Sequence, residues 1–250
     1  MTTAEQQLTD ADVEAYRRDG VVAVRDLFDR DEVARWRAAA LEASARLADN
    51  QGDAVFTQNV NVWRADERLR ALTLDPRLGA LAQRLAGVPL RLWHDQLLIK
   101  QPRNARATEF HQDQPYWPHR GARQTLTAWI PLGDVPVERG CMTFIPGSQR
   151  LRELERHRLD EAGSLFALAP ELQWRERVTI PLRAGDLTFH DGRTGHMATP
   201  NLTDEARVAL AVIWVDAETV YDGSPHPVTD PLDLRPGAPL EHELFPRVAA

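Results

Sequence analysis

Apolar residues recur at helical spacing through the first third of the chain and fall into short runs after it. Thr9-Asp10-Ala11-Asp12 has the composition of a helix start, and helical spacing continues to Arg18 before Gly20 stops it. Val21-Val22-Ala23-Val24 is a short apolar run that suits a strand. From Asp29 to about Leu47, Val33, Trp36, Leu41 and Leu47 sit among alanines and charges, which predicts an amphipathic helix. Asp75-Pro76 supplies a cap followed by proline in the first turn, so a third helix is predicted to about Leu85, ending near Gly87-Val88-Pro89.

The texture then changes. Leu90–Trp93 and Gln96–Ile99, with Lys100 closing the second run, open a series of short strands. Leu126–Leu132, Met142–Ile145, Val178–Leu182, Asp186–His190 and Arg207–Val215 continue it, separated by Gly, Pro and Asp signals. Helices first and strands afterwards predict an α+β chain, mainly β, with a barrel or sandwich core flanked by N-terminal helices. The expected organisation is one domain over 1–250: a helical part to about 88, a β core over about 90–215, and a proline-rich, loop-rich tail over 216–250. No repeat and no Gly/Ser linker interrupts it.

Composition narrows the classes of function. Thirty basic and 37 acidic residues leave a net charge of −7, which argues against a nucleic-acid binder with a basic face. Cys141 is the only cysteine, so no intrachain disulfide is possible. The opening MTTAEQQLTD is polar, unlike a signal peptide, and no apolar run approaches the roughly 18 residues of a membrane span. A cytoplasmic protein with no membrane partner is expected. One lysine, Lys100, stands against 29 arginines. Codon bias explains the excess of arginine; Lys100 then either marks a place where a planar fork does not fit or survives by chance.

Candidate chemistry begins at Glu109-Phe110-His111-Gln112-Asp113. In an extended chain, residues i and i+2 point to one side, so His111 and Asp113 can face one metal. Alone, His-x-Asp is a frequent chance match. The second half adds weight: Gly185–His190 reads as a turn entering a strand, Asp191–His196 follows, and eleven residues after His196 an apolar strand opens on Arg207. Two histidines and one carboxylate can occupy one face of Fe(II) and leave the opposite positions open for a 2-oxo acid and O2. The far carboxylate of 2-oxoglutarate then calls for a fixed cation, and a strand-borne arginine offers a bidentate fork.

These segments resemble the phytanoyl-CoA dioxygenase family, which includes bacterial ectoine hydroxylases and many antibiotic-tailoring enzymes. The similarity is carried by QLLIKQP from Gln96, FHQDQPYWP from Phe110, TAWIPLGD from Thr127, GCMTFIPGSQR from Gly140 and GDLTFHDGRTGH from Gly185, then Asn201 and Arg207. They stand in the family's order over roughly residues 90–215, and AYRRDGVVAVRDLFDRDEV resembles the family's opening. The resemblance implies a double-stranded β-helix (a jelly-roll, cupin-like fold) with a metal at its mouth. It implies His111, Asp113 and His196 as iron ligands and Arg207 as the 2-oxoglutarate salt bridge. Trp129 is implied on a strand lining the co-substrate pocket, and Lys100 on another. The activity implied is Fe(II)- and 2-oxoglutarate-dependent oxidation of a small molecule, with hydroxylation expected first and cyclisation, desaturation or epimerisation open to the same chemistry. A role in natural-product tailoring follows from the company the family keeps.

Two positions depart from the family pattern. The serine usual two residues after the distal histidine is Ala198 here, with Thr199, Thr125 or Thr127 as candidates for the missing hydroxyl. The family's Lys-Pro-Pro-Gly is Lys100-Gln101-Pro102-Arg103. Competing readings stand beside the leading one. His190 is a rival to His196, with packing or hydrogen bonding within a strand as its bland role. His94, His119, His157, His226 and His242 read as surface or loop residues, and Tyr116, Trp117 and His119 either face the substrate or pack as an aromatic core. A redox-inactive metal jelly-roll, a binding module or isomerase, is the alternative function, and Arg207 argues against it. Loss of activity, suggested only by Ala198, is a third. Nothing in the pattern specifies an oligomeric state.

Overall fold

The computed structural model describes residues 8–47, 55–151 and 154–248, so most of the polar opening and the end of the tail lie outside the described residues. Helix α1 (Asp10–Asp19) is capped by Thr9, whose Oγ1 accepts from Asp12 N while the Asp12 carboxylate accepts from Thr9 N. Such a reciprocal cap is worth about 1 kcal/mol. Gly20 ends it at φ 75°, a left-handed conformation that glycine adopts without strain. Strand β1 (Val21–Val24) follows, then α2 (Arg30–Arg46), capped by Asp29. The buried face of α2 is Val33, Trp36, Ala39, Ala40 and Ala43, whereas Leu41 is 42% exposed. Alanines, not leucine, complete the buried face of this helix, which corrects the expected face.

Strand β2 (Thr57–Val60) and helix α3 (Glu67–Thr73) have no clear pattern in the sequence; α4 (Pro76–Ala86) starts at its Asp75 cap and ends at Gly87 as predicted. The two runs expected over 90–99 are one strand, β3 (Leu90–Lys100). Then come β4 (Thr108–His111), β5 (His119–Arg120), β6 (Thr125–Pro131), β7 (Met142–Phe144), the short helix α5 (Ser164–Leu168), β8 (Val178–Ile180), β9 (Leu187–Asp191), β10 (His196–Ala198), β11 (Arg207–Asp216) and β12 (Val220–Tyr221).

Two antiparallel sheets face each other. The larger has the order β1-β9-β6-β11-β3-β2, the smaller β4-β10-β7-β8, and β5 pairs with β12 as a separate ribbon. This is the double-stranded β-helix implied by the resemblance. All ten residues of β11 are buried because both its faces are covered. Val208, Leu210, Val212 and Trp214 join the core beneath the helices with Leu78, Leu81 and Leu85. The alternate residues Ala209 and Ala211 pack with Trp129, Met142 and Phe144 between the sheets. A period of two thus divides the strand between a packed helical face and an interior where alanines leave room.

Gly185 sets the turn into β9. Its φ is 104°, and a Cβ there would overlap Phe28 O, while Gly185 O accepts from Leu27 N and Phe28 N at 3.0 and 3.2 Å. Gly185→Ala is expected to cost about 1–3 kcal/mol, a fall in Tm of several degrees for a chain of this size. An unchanged melting curve would show that this turn relaxes freely.

Candidate active site

His111 is the last residue of β4, and His196 opens β10, which pairs with it; the two are direct partners across the strands. Each ring is held by its own backbone. His111 Nδ1–H donates to Glu109 O at 2.7 Å, and His196 Nδ1–H donates to Thr194 O at 2.9 Å. With the proton on Nδ1, each Nε2 presents a lone pair. Asp113 arrives differently from expectation. Its φ of −77° and ψ of −43° are helical, so the chain turns after His111 instead of continuing as a strand. Asp113 N and Gln114 N both donate to Gly192 O at 2.9 Å, which pins that turn to the segment before His196.

Asp113 Oδ1 lies 3.5 Å from His111 Nε2 and 3.6 Å from His196 Nε2. One ligand atom from each of the three residues fits within 4.8 Å of the others. Asp113 Oδ2 is engaged elsewhere: Thr127 Oγ1 donates to it at 3.3 Å and His190 Nε2–H at 3.4 Å. Burial pushes the Asp113 carboxyl up, but the adjacent His196 and the His111 and His190 contacts prevail and hold it well below the usual range. Burial, then neighbouring His111, pushes His196 down to about 3, so its imidazole is neutral. Two imidazole nitrogens and a carboxylate oxygen therefore converge on one point. That donor set suits a divalent metal, with room on its open side.

The same cavity, about 350 Å³, runs between the sheets to Arg207. Arg207 and Lys100 are direct partners across β11 and β3, and both are buried. The guanidinium lies 5.4 Å from the Trp129 ring, donates Nη1–H to Leu98 O at 3.3 Å, and has a buried Nε–H without an acceptor. No carboxylate lies within ion-pair reach of it among the described residues. Burial pushes Arg207 down to about 10; burial and then Arg207 itself push Lys100 down to about 7. A buried guanidinium on the cavity wall with no counter-ion calls for an anion.

The Lys100 ammonium donates to Arg106 O, Ala198 O and Thr199 O at 3.1, 3.3 and 3.0 Å. It clamps the end of β10 and is absent from the cavity wall. Gly140, at φ 75°, lies against Arg207 Nε and the Lys100 stem in a left-handed conformation that a side chain would strain. Ala198 lines the cavity. Of the three candidate hydroxyls, Thr199 donates to Val137 O, Thr125 to Gln114 Oε1 and Thr127 to Asp113, so none is turned to Arg207.

His190 keeps the bland role weighed for it, a strand residue with a hydrogen bond, though its partner is Asp113. Of the histidines read as surface or loop residues, His94 differs: it is fully buried on β3. His119 is buried on β5 against Trp93 and Trp117, the aromatic packing that was one of its two readings. His226 lines the cavity, as do Tyr116, Trp117 and Arg156. His94 and Gln96 stand at the even spacing shared with Leu98 and Lys100, a signal that this face of β3 turns inward. Arg156 lies on an irregular loop and left no such trace.

Comparison with known proteins agrees with the geometry. The phytanoyl-CoA dioxygenase (PhyH) family profile matches residues 16–209. The carbocyclase SnoK from nogalamycin biosynthesis, described as a non-heme alpha-ketoglutarate-dependent enzyme, superposes with a TM-score of 0.88 and 38% identity over 99% of both chains. The epimerase SnoN, solved with Fe3+, alpha ketoglutarate and nogalamycin RO, gives 0.83 and 38% over 96% of this chain and 98% of that one. Phytanoyl-CoA dioxygenase domain-containing protein 1 of Rattus norvegicus is 29% identical over 158 residues, 61% of this chain and 54% of that protein. The chain thus spans about half the length of this curated relative. A profile match that begins in α1 and runs through every strand of both sheets as far as β11 settles the kinship: the chain belongs to the phytanoyl-CoA dioxygenase family.

Proposed function

We propose that this chain is a non-haem iron enzyme that couples 2-oxoglutarate and O2 to the oxidation of a small molecule. The observation that carries the reading is the pairing, in one cavity, of three converging metal donors with a buried arginine that lacks a counter-ion. His111, Asp113 and His196 would hold the iron, and Arg207 the far carboxylate of 2-oxoglutarate. Bound there, iron and 2-oxoglutarate supply oxidative decarboxylation to succinate and CO2, with an oxidant able to remove hydrogen from carbon.

The chain's own groups do the positioning. Thr127 and His190 hold Asp113 Oδ2 and leave Oδ1 directed at the two imidazoles. Such outer contacts fix ligand orientation and typically tune metal affinity by about 10–100-fold. Trp129 packs along the Arg207 guanidinium and keeps its fork aimed into the cavity. Lys100 adds charge from behind while fastening β10. No helix among the described residues is long and apolar enough to cross a membrane. We place the enzyme in the cytoplasm, acting on a free metabolite in a natural-product pathway.

Anaerobic protein given Fe(II) and 2-oxoglutarate is expected to develop a weak visible charge-transfer band, because a chelating keto acid needs the open metal positions. Under 18O2 with the true substrate, one label is expected in succinate. Unlabelled succinate, or no band at any concentration, would sink the reading in favour of a redox-inactive jelly-roll. The outcome at carbon has two forms. Hydroxylation is the simplest, and places label in the product. Thirty-eight per cent identity to a carbocyclase and to an epimerase favours hydrogen removal without net oxygen transfer, which leaves the product unlabelled.

A further inference from the structure

Part of the cavity wall has a chemistry that the metal and co-substrate leave unused. It includes Tyr116, Trp117, Arg156 and His226. Asp113 is the one carboxylate among the described lining residues, and it belongs to the metal donors. Arg156 donates Nε–H to Pro115 O at 2.7 Å and Nη2–H to Tyr116 O at 3.3 Å. Both acceptors are neutral carbonyls, and no carboxylate among the described residues lies within ion-pair distance of this guanidinium.

His226 stands beside it. Its Nδ1 accepts from Val228 N at 3.2 Å, which puts the ring proton on Nε2. The ring stacks on His94 at 5.8 Å between centroids and lies 5.2 Å from Trp93, so its direction is set by buried neighbours. Burial, and after it Arg156, pushes His226 down to about 4, which keeps it a neutral donor near pH 7. Tyr116 is not an alternative donor, because its hydroxyl is given to His157 O.

We propose that Arg156 and His226 form a subsite for an anionic oxygen of the substrate, a carboxylate or an ionised phenol or enol, and that cationic substrates are rejected. This rests on the function proposed above and specifies its substrate class. An ammonium entering here meets a guanidinium and an N–H donor with no acid to pair with, and such mismatch discriminates as strongly as attraction selects. An anion gains a charge-assisted bond from Arg156 and a second bond from His226. Tyr116 and Trp117 supply flat apolar surface for the body that carries it.

The test uses three isosteric probes, 2-naphthoate, 2-naphthylmethanol and 2-naphthylmethylammonium. Each is titrated calorimetrically into protein loaded with Fe(II) and saturating 2-oxoglutarate under argon. Naphthoate is expected to bind about tenfold tighter than the ammonium, the equivalent of one net charge-assisted bond, with the alcohol between. Arg156→Gln is expected to bring the three together and Arg156→Lys to restore most of the difference. His226→Phe, which keeps the stacking and removes the Nε2–H, should weaken naphthoate severalfold. Equal affinities, a preference for the ammonium, undetectable naphthoate binding, or binding lost through Arg207→Ala and not through Arg156→Gln would each overturn the assignment. The charge-transfer band, read on the same samples, separates the two failures. Without the band the iron reading fails; with the band and no charge preference, only the subsite fails.

Discussion

Alanine at His111, Asp113 or His196 is expected to abolish iron binding at micromolar metal and with it the charge-transfer band and all succinate release. Each residue supplies one of three donors, and the remaining two cannot close a facial set around a divalent ion. His111→Ala and His196→Ala each leave the Asp113 carboxylate with one imidazole. Asp113→Ala removes the one carboxylate among the described residues that line the site. Wild-type protein should bind close to one Fe(II) per chain by metal analysis after gel filtration, and the three variants should return near zero. Their circular dichroism should stay native, since the three side chains line a cavity and do not fill the core. His190→Ala is the control. It removes one hydrogen bond to Asp113 Oδ2, so affinity should fall by about 10–100-fold while the band returns at saturating iron. If His190→Ala loses the metal and His196→Ala keeps it, the ligand assignment is wrong.

That pairing also shows what a sequence can carry. His111, Asp113 and His196 were readable as candidate donors because they sit in segments whose order and neighbours are distinctive, not because the strand period aligns them. Asp113 in fact leaves the extended conformation. The long strands were legible from their apolar runs, β6, β9 and β11 to within a residue or two, because burial on both faces writes itself as continuous hydrophobicity. Strands β4 and β10 were not: at four and three residues they carry polar candidate donors, and only pairing with each other and with β7 makes them strands. The same holds for β2, a polar edge strand fixed by its register against β3.

Side chains that act through distant partners left the least trace. Lys100 stood out as the lone lysine, yet its three backbone acceptors come from two separate segments that no local pattern unites. A compact ammonium with three tetrahedral donors matches three carbonyl acceptors, and wild-type kinetics in Lys100→Arg would leave chance as the explanation for the lone lysine. His94, His119 and His226 looked peripheral because each lacks a motif. Their rings meet Trp93 from β3, from β5 and from the loop after β12, three segments that no local pattern unites.

Arg207→Ala is expected to raise the apparent KM for 2-oxoglutarate by about 30-fold or more, with iron affinity nearly unchanged. Truncating one partner of a buried, charge-assisted pair costs roughly 2–5 kcal/mol, and each 1.4 kcal/mol is tenfold. Three features push this case away from the low end. The guanidinium is buried, with its Nε–H lacking a protein acceptor, so no competing bond is lost when the co-substrate binds. Position 198 is alanine, and Thr199, Thr125 and Thr127 all donate elsewhere, so no hydroxyl shares the load. Lys100 offers its charge at close range, but its N–H donors are already held by three carbonyls. Iron should be indifferent to the change, since Arg207 is not among the groups that hold or orient the three donors. The measurement is initial-rate succinate release against 2-oxoglutarate, together with an Fe(II) titration of each protein. Added guanidinium or methylguanidinium should partly restore the variant, as expected for a missing cation in a preformed recess. An unchanged KM would detach Arg207 from the co-substrate, and equal losses of iron and 2-oxoglutarate affinity would mean that its role is to hold the barrel together.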